Sequence, residues 1–286
     1  MKAFLLSAGL GTRLRPLTDK MPKCLLPING IPLLQIWLEL LSRNGVDQVL
    51  INTHWHHEKV ECHLSADYPS TISRSYGAGA DYTDLQTAEE KKKPIVKLYY
   101  EPELLGSAGT LLAKRDWVDD GEPFFILYGD NLTEVNLLKM YEFHKDHEWP
   151  FTLGVFKTDE PERCGIADID ESGKVVDFVE KPENPKSNLA HAGISIADKR
   201  IFDFFPPNAK AIRPLDLGFH VIPNLVGEMK AYFIEEFLMD IGTPESYENA
   251  QKIYPQITQT CPPLEDWRRL NISRKGAPVR SSGPTG

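Results

Sequence analysis

The sequence predicts an α/β protein built on a mixed, mostly parallel sheet flanked by helices. Three observations predict it. Short apolar runs alternate with segments of helical periodicity. A glycine-bearing loop follows the first apolar run at once. Past Trp149 the alternation gives way to closely spaced strand-like runs joined by turn residues. Lys2 to Leu6 reads as a buried strand, and Ser7 to Arg15 as the loop after it. Pro32 to Asn44 carries Leu33, Leu34, Ile36, Trp37, Leu40 and Leu41 at helical spacing and stops at Gly45. Gln48 to Asn52 is the next strand, Glu58 to Leu64 a helix, Ile95 to Tyr100 and Pro123 to Leu127 further strands. Strand–helix alternation implies parallel strands with crossover helices, and ligands in such sheets bind at the carboxyl ends of strands.

Phe151 to Lys157, Cys164 to Ile169 and Lys174 to Glu180 read as strands, the last two joined by a hairpin turn at Asp170-Glu171-Ser172-Gly173. Lys199 to Phe205 and Pro244 to Ile253 read as helical. Residues 66–94 are polar, contain Gly77-Ala78-Gly79 and Lys91-Lys92-Lys93, and are expected to form a flexible excursion. The division expected is a domain over 1–254, with 1–150 and 151–254 as its two parts, and a C-terminal extension over 255–286. Its last ten or so residues are expected to be disordered.

The 286 residues suffice for a sizeable core, and 41% hydrophobic with 26% charged residues is ordinary for a globular protein. A net charge of −9 argues against a nucleic-acid partner. The opening MKAFLLSAG does not read as a signal peptide, and no apolar run is long enough to span a bilayer. Cys24, Cys62, Cys164 and Cys261 lack metal spacing and are expected to be reduced thiols in a cytoplasmic protein. His54-Trp55-His56-His57-Glu58 has metal-capable side chains but no matching distant ligands, so it reads as a polar loop entering a helix.

The chemistry concentrates in Ser7-Ala8-Gly9-Leu10-Gly11-Thr12-Arg13-Leu14-Arg15-Pro16-Leu17-Thr18, followed by Pro22-Lys23. Gly9 and Gly11 let backbone amides approach an anion closely, and Arg13 and Lys23 bring positive charge to phosphate oxygens. The spacing is neither GxxxxGK[ST] nor GxGxxG. Asp130 ends the apolar run Phe124 to Tyr128 after Gly129, a position suited to Mg2+. Asp240, in Leu238-Met239-Asp240-Ile241-Gly242, is a second acid among apolar neighbours.

The string GLGTRLRPLT…MPKCLLPI resembles the signature of the sugar-1-phosphate nucleotidyltransferase family, and the likeness runs over roughly residues 1–253. The resemblance implies a Rossmann-like fold, here without the hexapeptide β-helix of many members. It implies that Leu6, Ala8, Gly9, Gly11, Thr12, Arg13 and Lys23 hold the triphosphate, and that Asp130 and Asp240 bind Mg2+. Arg13, Lys23 and Asp130 would be the catalytic residues. Gly165, Glu180, Lys181 and Gly193 would bind the sugar phosphate; Asp216 would matter little. Leu104-Leu105-Gly106-Ser107-Ala108-Gly109-Thr110 matches the base-recognising segment in the form of GDP-mannose pyrophosphorylases, with Gly106 and Ser107 at the nucleotide. Without that likeness it is a helix start with free N–H groups. Ser7 stands where the family carries alanine or glycine. The implied reaction joins an NTP, GTP by preference, to a mannose- or heptose-type sugar 1-phosphate. A thymidylyl- or uridylyltransferase, or a non-catalytic sugar-nucleotide sensor, are the alternatives. A homo-oligomer is compatible with the sequence.

Overall fold

The computed structural model describes residues 1–67, 72–76 and 93–258. Its strands are β1 (Lys2–Leu6), β2 (Pro27–Ile28), β3 (Ile31–Pro32), β4 (Gln48–Thr53), β5 (Ile72–Tyr76), β6 (Ile95–Tyr100), β7 (Phe124–Tyr128), β8 (Asn131–Thr133), β9 (Phe151–Lys157), β10 (Gly165–Ile169), β11 (Val175–Glu180), β12 (Leu189–Ala197), β13 (Met229–Phe233) and β14 (Leu238–Asp240). Its α-helices are α1 (Leu33–Arg43), α2 (His57–Asp67), α3 (Ser107–Ala113), α4 (Leu137–Lys145), α5 (Leu217–His220) and α6 (Pro244–Thr258).

The main sheet runs in the order β11-β10-β12-β7-β1-β4-β6-β5, with β9 paired to both β12 and β13. Strand β1 lies parallel to β4 and β7 on its two sides. The central strands read as continuous apolar runs because both faces of the sheet are covered. Ala3 and Leu5 of β1 face a core built with Leu33, Trp37 and Leu41 of α1, Met140 of α4 and Ala250 of α6. Phe4, between them, faces the opposite core with Leu111 of α3, Leu215, Leu217 and Leu225. This is the alternation of a strand with period two. The sheet becomes mixed where β12 pairs antiparallel with β7, β9 and β10.

Several elements differ from the sequence reading. Part of the segment expected to be a flexible excursion forms β5, parallel to β6 and at the sheet edge; the rest of 66–94 before Lys93 lies outside the described residues, apart from the end of α2. Strand β12 was not read from sequence, because Gly193 (φ 66°) breaks the apolar run, and the register to β9 shifts there. The helix expected over Lys199 to Phe205 is a 3-10 helix, Lys199–Phe204, capped by Asp198. Helix α6 runs on to Thr258 with Pro255 inside it. The expected terminal disorder concerns residues outside those described. The hairpin turn forms as expected: the Asp170 carboxylate accepts from Ser172 N and Lys174 N. Cys24, Cys62 and Cys164 are free thiols, and Cys261 lies outside the described residues.

Candidate active site

The carboxyl ends of β1, β4 and β7 open onto a cleft of about 240 Å³. Its floor is the loop after β1. Ser7 N donates to Asn52 Oδ1 at the end of β4 (2.7 Å), and Gly129 N donates to Leu6 O (2.9 Å) after β7. Three strand ends are thus tied side by side. A side chain at position 129 would collide with Ser7 Oγ at 2.3 Å, so glycine there lets the two loops touch. Gly11 adopts φ 62° and its carbonyl accepts from Thr18 Oγ1 (2.8 Å), which folds the loop back on itself.

Leu6, Ala8, Gly9 and Lys23 line the cleft on the loop side, Gly106 and Ser107 on the α3 side, and Asp130 at the end of β7. Gly11, Thr12, Arg13 and Asp240 do not line it; Thr12 and Arg13 are exposed. The charged groups nevertheless converge. Lys23 Nζ lies 2.8 Å from Asp130 Oδ2 and 3.3 Å from Asp240 Oδ1. Arg13 lies 4.0 Å from Asp240 Oδ2. Backbone pairing builds this convergence across more than a hundred residues. Strands β8 and β14 pair antiparallel with Asp240 opposite Asn131, and Ile241 N donates to Asp130 O (3.2 Å). Lys23 opens a short 3-10 helix, Lys23–Leu25, with its stem buried and its ammonium between the acids.

The donor chemistry of this point fits a hard divalent cation. Two carboxylates reach one common position, and both are about half exposed, so ligand atoms can join them. Among the described residues no third acid, histidine or cysteine completes a metal cage. Mg2+ suits a site of one or two carboxylates that leaves positions for phosphate and water.

None of the residues implied for the sugar side, Gly165, Glu180, Lys181 and Gly193, lines the cleft. Gly165 pairs with Glu180 across β10 and β11, and a Cβ on Gly165 would lie 2.5 Å from Glu180 Oε2. Gly218 packs on the same oxygen. Burial raises the Glu180 carboxyl above its ordinary range; Lys181 opposes this and Asp216 adds to it. Lys181 takes φ 49°, with its ammonium 3.8 Å from Glu180 and 5.6 Å from the Phe219 ring centroid. Gly193 packs against Asn131 and Tyr128, where a Cβ would meet Asn131 Nδ2 at 2.8 Å.

The base-side segment differs from its expected form. The amides of Ala108 and Gly109 are not free: both donate to Leu215 O, at 3.0 and 3.1 Å. Leu215 N in turn donates to Leu105 O (2.7 Å). Segment Pro214–Asp216 therefore straps the start of α3 and contributes Pro214 and Asp216 to the cleft wall. Asp216, given little weight from sequence, accepts from Ser107 Oγ (3.1 Å) and Phe219 N.

Among the wall residues that sequence reasoning missed are Glu101, Asn52 and Tyr128. Glu101 is fully buried and accepts from Asn52 Nδ2 (2.9 Å), Thr110 Oγ1 (2.5 Å) and Leu105 N (3.1 Å). Asn52 thereby links the loop after β1 to this carboxylate. Tyr128 sits where Ser107, Asp216, Glu180 and Asp130 meet, and burial raises its phenol. All three lie at or within one residue of the carboxyl end of a strand, and the strand-end rule would have found them. Cys24 also lines the cleft, but burial pushes its thiol up to about 12, which leaves it protonated and inert. The histidine cluster is a polar loop, as its sequence suggested. His54 bonds Glu101 O, His56 bonds Asp19 O, and His57 stacks on Tyr100.

The sequence profile of the family described as Nucleotidyl transferase matches residues 2–257. Mannose-1-phosphate guanylyltransferase 1 of Arabidopsis thaliana is 33% identical over 290 residues, covering 99% of this chain and 69% of that protein. The mannose-1-phosphate guanylyltransferase catalytic subunit beta of Dictyostelium discoideum is 30% identical over 89% of this chain; the chain spans 64% of its length. Among solved structures, a putative glucose-1-phosphate thymidylyltransferase from Bacillus anthracis superposes with a TM-score of 0.71 at 22% identity, over 88% of this chain and 94% of its own. HddC from Yersinia pseudotuberculosis does so with 0.67 at 23%, over 88% and 99%. Both share the mixed, mostly parallel sheet flanked by helices. With its fold, its loop and its profile in agreement, the chain belongs to the nucleotidyl transferase family.

Proposed function

We propose that this enzyme transfers the guanylyl group of GTP to a sugar 1-phosphate of the mannose or heptose type, releasing pyrophosphate. The observation that carries the reading is the placement of Lys23 between Asp130 and Asp240 at a cleft floored by the Gly9 loop. The relatives named as mannose-1-phosphate guanylyltransferases support the choice of base and sugar.

In this reading the loop from Ala8 to Gly11 lays backbone against the triphosphate. Arg13 steadies the departing pyrophosphate and Lys23 offsets its charge. Asp130 and Asp240 would hold Mg2+, which when bound neutralises charge at the α-phosphate. Glu180 and Lys181 orient the sugar phosphate. Its oxygen is already ionised, so no side chain has to remove a proton. It attacks the α-phosphorus in line, and the P–O bond to pyrophosphate breaks. Positioning and charge neutralisation then supply the rate. Residues 1–150 serve the nucleotide and residues 151–254 the sugar phosphate. The free thiols fit a cytoplasmic location.

Pyrophosphate release with GTP, ATP, UTP and dTTP, each against a panel of sugar 1-phosphates, tests the assignment. GTP with mannose 1-phosphate or a heptose 1-phosphate should give the highest kcat/KM. A higher value with dTTP or UTP would remove the guanylyl assignment. Tight sugar-nucleotide binding without turnover would remove the catalytic one.

A further inference from the structure

The ammonium of Lys23 occupies the position that a divalent cation would share with Asp130 and Asp240. Its side chain is only 9% exposed, whereas those of the two acids are 42% and 54% exposed. The cation is wedged in and the carboxylates face the opening. Arg13, beside the second oxygen of Asp240, adds another positive charge. Two carboxylates are therefore already matched by two cations before any ligand arrives. The lysine ammonium is a compact charge on a flexible four-carbon stem, so it can leave this position while its backbone stays fixed.

We infer that Lys23 is an exchangeable counter-ion: in the nucleotide-free enzyme it holds the place between Asp130 and Asp240, and it moves to phosphate oxygens when the nucleotide binds. The inference rests on the assignment of those acids to a metal and goes beyond it. Its consequence is an order of binding. The free enzyme excludes divalent cations, and the metal enters together with the triphosphate. Lys23 also holds two facing carboxylates together when no metal is present.

Mn2+ serves as the probe, its free fraction read by electron paramagnetic resonance, with the full chain and no nucleotide. Wild type should bind weakly, and Lys23→Gln at least about tenfold more tightly, because the competing charge is gone. Lys23→Arg keeps the charge and should bind like wild type. Mn2+ should also raise the Tm of nucleotide-free Lys23→Gln more than that of wild type. With a non-hydrolysable GTP analogue added, wild type should take up Mn2+. Equal Mn2+ binding by nucleotide-free wild type and Lys23→Gln overturns the exchange alone. No uptake by wild type even with the analogue removes the metal assignment and the exchange with it. Should Lys23→Gln fail to fold, a tight stoichiometric Mn2+ site in nucleotide-free wild type overturns the inference by itself.

Discussion

Gly106→Ala tests whether the strap over α3 builds the cleft wall. Gly106 has φ 84° and ψ 166°, a region open essentially to glycine alone. An alanine Cβ would stand 2.4 Å from Leu215 O and 2.8 Å from Leu215 N and C, all backbone atoms. Leu215 must therefore shift, and its carbonyl loses the amides of Ala108 and Gly109. Conformational strain of this kind costs about 1–3 kcal/mol. The two hydrogen bonds are worth about 1 kcal/mol each. The variant should lose about 3–5 kcal/mol, which for a chain of this size lowers Tm by roughly 5–15 °C. Pro214 and Asp216 move with Leu215, so KM should rise for the substrate they face. Thermal unfolding followed by circular dichroism, with steady-state pyrophosphate release on the same preparation, measures both effects. A Gly106→Ala protein that melts within about 2 °C of wild type, with unchanged KM values, would refute the reasoning.

Gly9→Ala is the contrasting case. A Cβ there meets nothing within 4 Å and φ is not positive, so stability should stay within about 0.5 kcal/mol while kcat/KM for GTP falls, as stability and turnover assays on one preparation would show. Glu101→Ala leaves Asn52, Thr110 and Leu105 N without their acceptor in a buried place; denaturant titration should find a loss of about 2–4 kcal/mol. Burial lowers His144 from 6.5 to about 4 and also lowers His147, both of them bonded to Thr152 Oγ1. The unfolded chain then takes up protons that the folded one does not. Stability should be full above pH 6.5 and decline towards pH 4, by about 3 kcal/mol for His144 alone. Denaturant midpoints that stay level from pH 7 to pH 4.5 would contradict this.

The legible parts of the fold are those whose residues meet the same environment along their length. Strands β1, β6 and β9 begin and end where the sequence indicated, because both faces of each are buried and an apolar run marks each one. Strand β12 sits in the middle of the sheet, yet Gly193 interrupts its pattern. The short pair β8–β14 rests on contacts between distant segments, which no local pattern encodes. The site divides the same way. Gly9 and Asp130 announce themselves by type and by position after strands, and Lys23 by its charge after the glycine loop. The burial of Glu101 and the capping of α3 by Leu215 arise from tertiary packing. An N-terminal helix amide looks free until its distant acceptor is in place.

The central claim is tested most directly by following the label from α-32P GTP in the presence of Mg2+ and mannose 1-phosphate. Wild type should place the label in a sugar nucleotide, with pyrophosphate released in equal amount, and folded Asp130→Asn should do so at least about a hundredfold more slowly. Unlabelled sugar nucleotide, or a folded Asp130→Asn enzyme that turns over like wild type, would contradict the account.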